Sequence, residues 1–232
     1  MLNHSTNLSA FSEKDDITKK SYNLYFAGPL FTNKDLIGNL YLSLALEEAS
    51  NGKYKCILPQ NLEQRDAHAQ HIKNNDLKCV KETDGGIFSF DGSELDTGTV
   101  AEFIHSKFLD KPAVLYRSDI RSGGDDHRTN SDPWNLMLSN YPRTKVVIIE
   151  DIVIKYQDLY KQYSGDTHSI AKALSLIIVT PIVEALDEVF AIPPLISHRS
   201  LEKKTIYEHF DIFNDLHNDG DHPKPRGYVK SM

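Results

Sequence analysis

Residues 85–117 read GGIFSF, DGSELD, TGTVAEFIHSKFLD and KPAVLYR, and this stretch decides the fold. Its two outer segments are short apolar runs rich in β-forming residues, as in buried strands. Between them, apolar residues recur at helical spacing at Val100, Phe103, Ile104 and Phe108. A strand, a helix and a strand within this length predict a βαβ unit with parallel strands and a right-handed crossover.

The turn before that helix is rich in carboxylates. Asp91, Glu94 and Asp96 lie in the turn, and Glu102 lies just inside the helix. Open α/β sheets bind ligands at the carboxyl ends of their strands. We therefore expect the ligand site where the strand over residues 87–90 ends.

The same alternation extends over most of the chain. Predicted strands cover residues 22–27, 54–58, 87–90, 113–116 and 145–149. Predicted helices cover residues 33–50, most of 60–81, 97–109, a short piece at 134–138, and 152–163. This order predicts an α/β fold with a five-stranded, mostly parallel sheet. In the first helix, Leu36, Ile37, Leu40 and Leu44 are predicted to form the apolar face.

The remaining residues are predicted to form extensions of that domain. The regions in order are a mobile N-terminal arm (1–20), the α/β domain (21–165), an apolar helical extension (166–192) and a polar C-terminal tail (193–232). The helical extension is expected to pack on the domain or on a partner subunit, and Pro181 is expected to divide it or to begin its second helix. Another helix is predicted around residues 206–216.

Composition excludes several classes of protein. The chain has 232 residues, of which 40% are hydrophobic and 25% charged, as is ordinary for a soluble globular protein. A net charge of −7 argues against general nucleic-acid binding. Cys56 and Cys79 lie in predicted regular elements, which favours buried thiols of a reducing compartment. Residues 1–10 lack a signal-peptide pattern, and the charge-free apolar run over 173–183 is too short to span a bilayer. We therefore expect a cytoplasmic protein.

Glu102 is the sharpest catalytic candidate, and it allows two interpretations. Thr99-Val-Ala-Glu102 matches a capping box, in which the glutamate only satisfies a backbone amide. On spacing alone, that structural role is the more common one. The neighbouring acids favour chemistry instead, because retaining cleavage of a glycosidic bond needs a carboxylate nucleophile and a proton donor about 5 Å apart.

Four other residues carry weak signals when each is taken alone. Asp76 fits a solvated helix surface, and Asp96 fits a helix N-cap. Tyr25 fits a packed core position within an apolar strand, and Asn135 carries no signal alone.

Metal and cofactor patterns are missing from the sequence. His68 and His71 could share a helix face, but no third ligand is placed. Residues 125–127 and 219–222 lack the spacing of a calcium loop. Without a Gly-x-Gly-x-x-Gly or Walker pattern, no dinucleotide or triphosphate cradle is predicted. The prediction is no metal and no cofactor.

Four blocks together resemble the nucleoside 2-deoxyribosyltransferases. They are YFAGPLFT (25–32), NNDLKCVKETD (74–84), DTGTVAEF (96–103) and PWNLML (133–138), in the order and rough separations of that family. The resemblance implies a flavodoxin-like sheet with helices on both faces, with residues 21–165 as the catalytic domain. It also implies ping-pong exchange of the base on a 2′-deoxynucleoside, a nucleoside-salvage reaction that uses no metal or cofactor. Whether purines alone or also pyrimidines are exchanged stays open from the sequence.

The resemblance implies roles for several residues in those blocks. Glu102 would be the nucleophile that attacks C1′, with Tyr25 orienting its carboxylate. Asp76 would handle the proton of the base. Asp96 would hold sugar hydroxyls or assist that proton transfer.

Further roles concern the substrate and the assembly. Gly28 would allow the backbone to approach the ligand, and Gln60 would contact the base. Asn135 would reach the 5′-hydroxyl in a neighbouring subunit, so the family resemblance implies a homo-oligomer with shared sites. The loop over residues 118–133 is the expected lid.

Two alternatives remain open from the sequence. A hydrolase of 2′-deoxynucleoside 5′-monophosphates would need a phosphate site, and residues 28–34 offer only Lys34 and no arginine. A non-catalytic nucleotide-sensing domain would keep the fold but would not need the acids.

Overall fold

The computed structural model describes residues 20–62, 68–119, 132–196, 201–214 and 216. The strands are Tyr22–Ala27 (β1), Tyr54–Ile57 (β2), Gly85–Ser89 (β3), Ala113–Arg117 (β4) and Thr144–Ile148 (β5). The α-helices are Asn33–Ala49 (α1), Ala69–Glu82 (α2), Thr97–Phe108 (α3), Ile152–Gln162 (α4), Thr167–Ala191 (α5) and Leu201–Asn214 (α6). Short 3₁₀ turns cover Pro59–Asn61 and Leu136–Leu138. The predicted arm up to residue 19, most of the predicted lid and most of the tail lie outside the described residues.

The sheet is parallel throughout, with the strand order β2-β1-β3-β4-β5. This is the flavodoxin-like order, and it confirms the predicted α/β fold. The chain leaves β1 to one side for β2 and then crosses to the other side for β3. The crevice at such a switch point, beyond the carboxyl ends of β1 and β3, is where doubly wound sheets bind ligands.

Side chains alternate between the two faces of the sheet, and β1 shows the consequence. Leu24 and Phe26 join the core packed against α1 and α5. Tyr25 and Ala27 join the opposite core, which α2, α3 and Phe210 of α6 cover. Tyr25 therefore points toward the two helices that carry the predicted acids.

Helix α5 is continuous, so the prediction that Pro181 divides it or begins a new helix is wrong. A proline inside a helix costs about 3 kcal/mol. Burial offsets that cost, because each large apolar side chain removed from water contributes about 1.5–3 kcal/mol. The buried apolar residues of α5 around and beyond the proline are Ile178, Val179, Ile182, Leu186 and Val189.

Helix α5 is also long and apolar enough to cross a membrane by length and composition. It packs instead against α1 and along β4 and β5, as a core helix does. These contacts lie within the chain, and the predicted division of the chain into a domain with extensions stays a prediction.

Helix α1 buries a different side from the one predicted. Leu36, Ile37, Leu40 and Leu44 are 38–58% exposed, whereas Leu46 is buried against the sheet and α5. The helix carries apolar residues on both sides, so helical spacing alone did not determine which side faces the core.

Candidate active site

A cavity of about 150 Å³ lies beyond the carboxyl ends of β1 and β3. Three carboxylates line it: Asp76 from α2, Asp96 from the turn before α3, and Glu102 from α3. Gly28, which follows β1, and the exposed Phe31 also line it. The fold therefore brings together acids that are up to 26 positions apart in the sequence, at the predicted end of the sheet.

Glu102 is held by Tyr25. The Tyr25 hydroxyl donates a hydrogen bond of 2.6 Å to Oε1 of Glu102. Tyr25 is almost fully buried beneath the cavity, so its ring is fixed by packing. A short bond from a fixed donor orients the carboxylate and leaves Oε2 for other contacts.

The capping-box interpretation of Glu102 is wrong. The N-cap of α3 is Asp96, whose Oδ2 accepts from the Thr99 amide at 2.7 Å and from the Thr99 hydroxyl at 2.8 Å. Thr99 is therefore the third residue of the helix and not its cap. Glu102 lies three positions later on the same face, which points toward the cavity.

The pKa of the Glu102 carboxyl is raised to about 7. Burial is the largest cause, and repulsion from Asp76 and Asp96 adds to it, whereas the hydrogen bond from Tyr25 lowers it. The pKa of Tyr25 is raised strongly, chiefly by burial and then by Glu102, so Tyr25 remains a proton donor in this bond. Among the described lining residues there is no lysine or arginine to neutralise the acids.

Asp96 has a structural role as well as its place in the cavity wall. The predicted N-cap is confirmed by its bonds to Thr99. Gly98 lies close to this carboxylate, since a Cβ at position 98 would be 3.1 Å from Oδ2 of Asp96. The turn therefore fixes this carboxylate beside the cavity.

Gly28 marks a close approach of two strands. A Cβ at this position would lie 3.1 Å from Cβ of Ser89 at the end of β3. Any larger residue would have to displace Ser89 or intrude on the cavity. This contact gives a structural reason for a glycine here, and the approach of a ligand to Gly28 stays a prediction.

Two predicted binding residues lie outside the cavity wall. Oε1 of Gln60 accepts from Asn39, and Nε2 of Gln60 donates to the Leu36 carbonyl. Asn135 is exposed and its Oδ1 accepts from the Met137 amide at 2.9 Å, as the N-cap of a 3₁₀ turn. Neither side chain joins the three acids within one subunit.

Sequence reasoning missed Asn39. Its Nδ2 donates to the Pro29 carbonyl at 3.0 Å and to Gln60 at 3.3 Å, so it ties the loop after β1 to the segment after β2. A lone asparagine in a helix carries no sequence signal for this role.

Two acids of the predicted turn, Asp91 and Glu94, do not line the cavity. Asp91 accepts from the amides of Ser118 and Asp119, at the end of β4. Glu94 is exposed and does not line the cavity. The fold thus selects Asp96 from the turn and adds Asp76 from α2.

In the part of the chain that the structure describes, no group of three His, Cys, Asp or Glu residues could hold a metal ion. The rings of His68 and His71 lie 5.8 Å apart without a third ligand among those residues. Residues 125–127 and 219–222 lie outside the described residues.

Several solved structures resemble the chain at a distance. A conserved protein from Enterococcus faecalis V583 is 23% identical, covers 58% of this chain and 96% of its own, and superposes with a TM-score of 0.46. A 2-deoxyribosyltransferase from Leishmania mexicana is 21% identical over 51% of this chain and 86% of its own, with a TM-score of 0.42. The 2-deoxyribosyltransferase from Bacillus psychrosaccharolyticus is 19% identical over 64% and 95%, with a TM-score of 0.42. Likenesses this distant say nothing about the activity of this chain.

The family comparison is more direct. No curated protein matches the chain. A sequence model described as nucleoside 2-deoxyribosyltransferase matches residues 24–137, the segment that contains Tyr25 and all three cavity acids. Just under half of the chain, residues 24–137, thus matches the nucleoside 2-deoxyribosyltransferase family.

Proposed function

We propose that this chain transfers the 2-deoxyribosyl group between nucleobases by a ping-pong mechanism through a covalent intermediate on Glu102. The observation that carries the proposal is the 2.6 Å bond from Tyr25 to a partly buried Glu102 in a cavity shared with Asp76 and Asp96. A folded but inactive sensing domain has no need for this arrangement, because holding a carboxylate with a raised pKa among other acids lowers stability.

In the first half-reaction, Glu102 attacks C1′ of a 2′-deoxynucleoside. Tyr25 engages Oε1, so Oε2 is the oxygen that forms the new C1′–O bond. The C1′–N bond breaks, its electron pair goes to the base, and Asp76 supplies the proton that the base takes up. The products are the free base and a deoxyribosyl ester of Glu102.

In the second half-reaction, a nitrogen of the incoming base attacks C1′ and the ester bond breaks. Asp76 accepts the proton of that base, and Glu102 is released as a carboxylate. Positive charge develops on the sugar in both transition states, which favours a ring of carboxylates around C1′. Asp96 lies where it could hold the sugar hydroxyls or assist the proton transfer.

The fraction of ionised Glu102 links the geometry to pH. Only the carboxylate attacks, and its pKa of about 7 leaves a large share of the protein protonated at neutral pH. The positive charge that develops at C1′ in the transition state favours the ionised form of Glu102. We therefore expect kcat/KM to rise with pH through about 7.

Base exchange tests the reaction directly. The protein is incubated with 2′-deoxyinosine and free adenine, and the products are separated by chromatography. Transfer yields 2′-deoxyadenosine and hypoxanthine, whereas a hydrolase would yield hypoxanthine alone and a sensing domain neither product. Absence of 2′-deoxyadenosine under these conditions would overturn the proposal.

The intermediate has its own test. With 2′-deoxyinosine alone, a burst of hypoxanthine equal to the number of active sites reports the glycosyl ester. Intact-protein mass spectrometry should then show an added deoxyribosyl group that Glu102→Gln lacks. Glu94→Gln is the matched control, because Glu94 is an exposed acid of the same segment outside the cavity.

We further propose that Asn135 completes the cavity of a neighbouring subunit in a cytoplasmic homo-oligomer. Asn135 does not line its own cavity, and the adjacent Leu136 and Met137 are 58% and 69% exposed. Exposed apolar side chains of this kind are common at subunit contacts. Phe31, at the mouth of the cavity, is also 79% exposed.

Subunit mixing tests the shared site. Glu102→Gln and Asn135→Ala are each expected to be inactive alone. Mixing the two after reversible dissociation should restore part of the activity, because some sites then combine an intact Glu102 with an intact Asn135. No restoration from mixed oligomers would contradict the shared site while leaving the base-exchange result untouched.

A further inference from the structure

A second cavity lies at the opposite end of the sheet. Its volume is about 370 Å³, and its inner wall contains residues that precede or begin strands, such as Tyr22, Lys111 and Arg143. The carboxylate cavity lies beyond the other strand ends. Strands of five residues at about 3.3 Å per residue separate the two by roughly 17 Å.

The C-terminal extension builds the outer wall of this second cavity. Phe190 at the end of α5 and the segment 191–194 form one side, and Lys203 and Tyr207 of α6 form another. All of these residues lie beyond the segment 24–137 that matches the family. This outer wall of the second cavity therefore comes from the chain's own extension.

We propose that this cavity binds a small organic anion, in which a phosphate or carboxylate group is joined to a flat apolar ring. The cavity has four cationic side chains, Lys20, Lys111, Arg143 and Lys203, and three carboxylates, Glu82, Asp84 and Asp110. Two of the carboxylates are engaged within the protein. Asp110 pairs with Arg143 at 3.2 Å and accepts from the Ile196 amide at 2.9 Å, and Asp84 accepts from the Asn23 amide at 2.8 Å.

Lys111 is the centre of the proposed anion site. Its Nζ donates to the Thr83 carbonyl at 2.5 Å, and an ammonium group has three donors in all. The pKa of Lys111 is lowered to about 8, first by burial and then by repulsion from Lys203. An anion placed beside these two side chains would offset both causes and form charge-assisted hydrogen bonds.

Arg143 supplies a second donor at the cavity wall. Its side chain is buried, and Nε has no hydrogen-bond partner among the described residues. A buried donor without a partner costs about 1–3 kcal/mol. An oxygen of the bound anion is a suitable partner for that Nε–H.

Aromatic rings provide the place for a flat apolar group. The Lys203 ammonium lies 5.2 Å from the ring centre of Tyr207, and the Lys111 ammonium lies 5.8 Å from it. Tyr22 and Phe190 pack with ring centres 4.3 Å apart on the strand side of the cavity. A ring on the ligand would stack on such surfaces while its anionic group contacts the lysines.

Isothermal titration calorimetry of the full chain tests the proposal with phenyl phosphate as the probe. Inorganic phosphate and benzyl alcohol carry only one of the two recognised features. We expect phenyl phosphate to bind at least about tenfold more tightly than either at pH 7. Equal affinity for phenyl phosphate and benzyl alcohol would overturn the anion site, and equal affinity for phenyl phosphate and inorganic phosphate would overturn the ring site.

Variants locate the binding. Lys203→Met and Lys111→Met should each weaken phenyl phosphate binding about tenfold or more. Lys203 is included because loss of the Lys111 bond to Thr83 could also disturb the fold. Lys172→Met is the matched control, since Lys172 is half-exposed on α5 and pairs with Glu48 away from the cavity. Unchanged binding in a folded Lys203→Met protein would contradict the site.

Titration of Lys111 gives an independent readout. In the free protein, its side-chain NMR signal should titrate near pH 8, and saturating phenyl phosphate should move that midpoint upward because the anion stabilises the ammonium form. An unmoved midpoint would count against the site. Glu102→Gln should leave phenyl phosphate binding unchanged, so this result is independent of the base-exchange assay.

Discussion

At both ends of the sheet, burial favours the uncharged form of an ionisable side chain, which is a carboxyl at one end and an ammonium at the other. At the carboxyl end, burial and repulsion from Asp76 together raise the pKa of Glu102 from its ordinary 4.5 to about 7. At the amino end, burial and repulsion from Lys203 together lower the pKa of Lys111 from 10.5 to about 8. In each cavity, burial and a neighbouring group of the same charge bring the pKa of the buried group close to neutral pH.

The two ends differ in how the buried group is held. Glu102 receives its bond from the side chain of Tyr25, which belongs to a different element and has a fixed ring. Lys111 donates to a backbone carbonyl, that of Thr83. The partner of Glu102 is thus a side chain that a substitution can remove, whereas the partner of Lys111 is a backbone carbonyl that a substitution at Thr83 retains.

The largest expected effect is on catalysis at the carboxyl end. Asp76→Asn should lower kcat/KM for base exchange about 10²–10⁴-fold, because proton transfer to and from the base is lost. Steady-state kinetics with 2′-deoxyinosine and adenine measures the change. Asp158→Asn on the exposed side of α4 is the control, and a comparable loss there would show that the effect is not specific to the cavity.

Next in size is the effect of Glu102 on stability. Its folded pKa of about 7 exceeds the unfolded value, so the folded protein binds the proton more tightly, and the unfolding free energy falls as pH rises from about 4.5 to 7. The fall should reach about 3 kcal/mol. Glu102→Gln should remove this decrease and be more stable than the native chain at pH 8. Urea unfolding at pH 5 and pH 8 checks it, and equal pH dependence in both proteins would contradict it.

Lys111, at the amino end of the sheet, is expected to give the opposite dependence of stability on pH. The folded pKa of Lys111 lies below its unfolded value, so the folded protein loses this proton first, and the unfolding free energy rises between about pH 8 and 10.5. The rise should be up to about 3 kcal/mol. Lys111→Met should flatten that rise, although it also loses a hydrogen bond worth about 1 kcal/mol. Lys107, with a pKa lowered to about 7, remains in both proteins and contributes equally to both curves.

The smallest expected effect sharpens the role of Tyr25. Its hydrogen bond lowers the pKa of Glu102, so Tyr25→Phe should raise that pKa further. The ascending limb of kcat/KM should move upward by about one pH unit, which corresponds to about 1.4 kcal/mol. A purely structural tyrosine would reduce activity at every pH without moving the limb. The pH profiles of the two proteins distinguish these outcomes.

Much of the fold followed from local patterns. The bounds of β1 match the prediction, and those of the other four strands and of α3 lie within two residues of it. These elements are bounded by turn-forming residues and carry apolar residues at strand or helix spacing. Such local patterns predict the bounds of an element well. The errors came where more than one answer satisfied the local pattern, as in α1 with its two apolar sides and in α5 with its internal proline.

In the site too, contacts between residues close in the sequence were predictable, whereas contacts between distant segments were not. Asp96 as an N-cap was predictable, because capping depends on the next three residues. The capping box would have placed the N-cap of α3 at Thr99, three residues after the observed N-cap Asp96, and it would have given Glu102 a structural role. The Asn39 contacts to Pro29 and Gln60 join three separate segments, and no local pattern predicts such contacts.

The sequence by itself predicted the α/β class, the family resemblance and the candidate acids, because these depend on residue types and spacings along the chain. Only the tertiary structure decided that Asp76, Asp96 and Glu102 line one cavity, that Tyr25 bonds Glu102, and that α5 and α6 close a second cavity at the other end. The physical reason is that burial and charge repulsion act through space. Their effect on a pKa depends on which distant segments the sheet brings together.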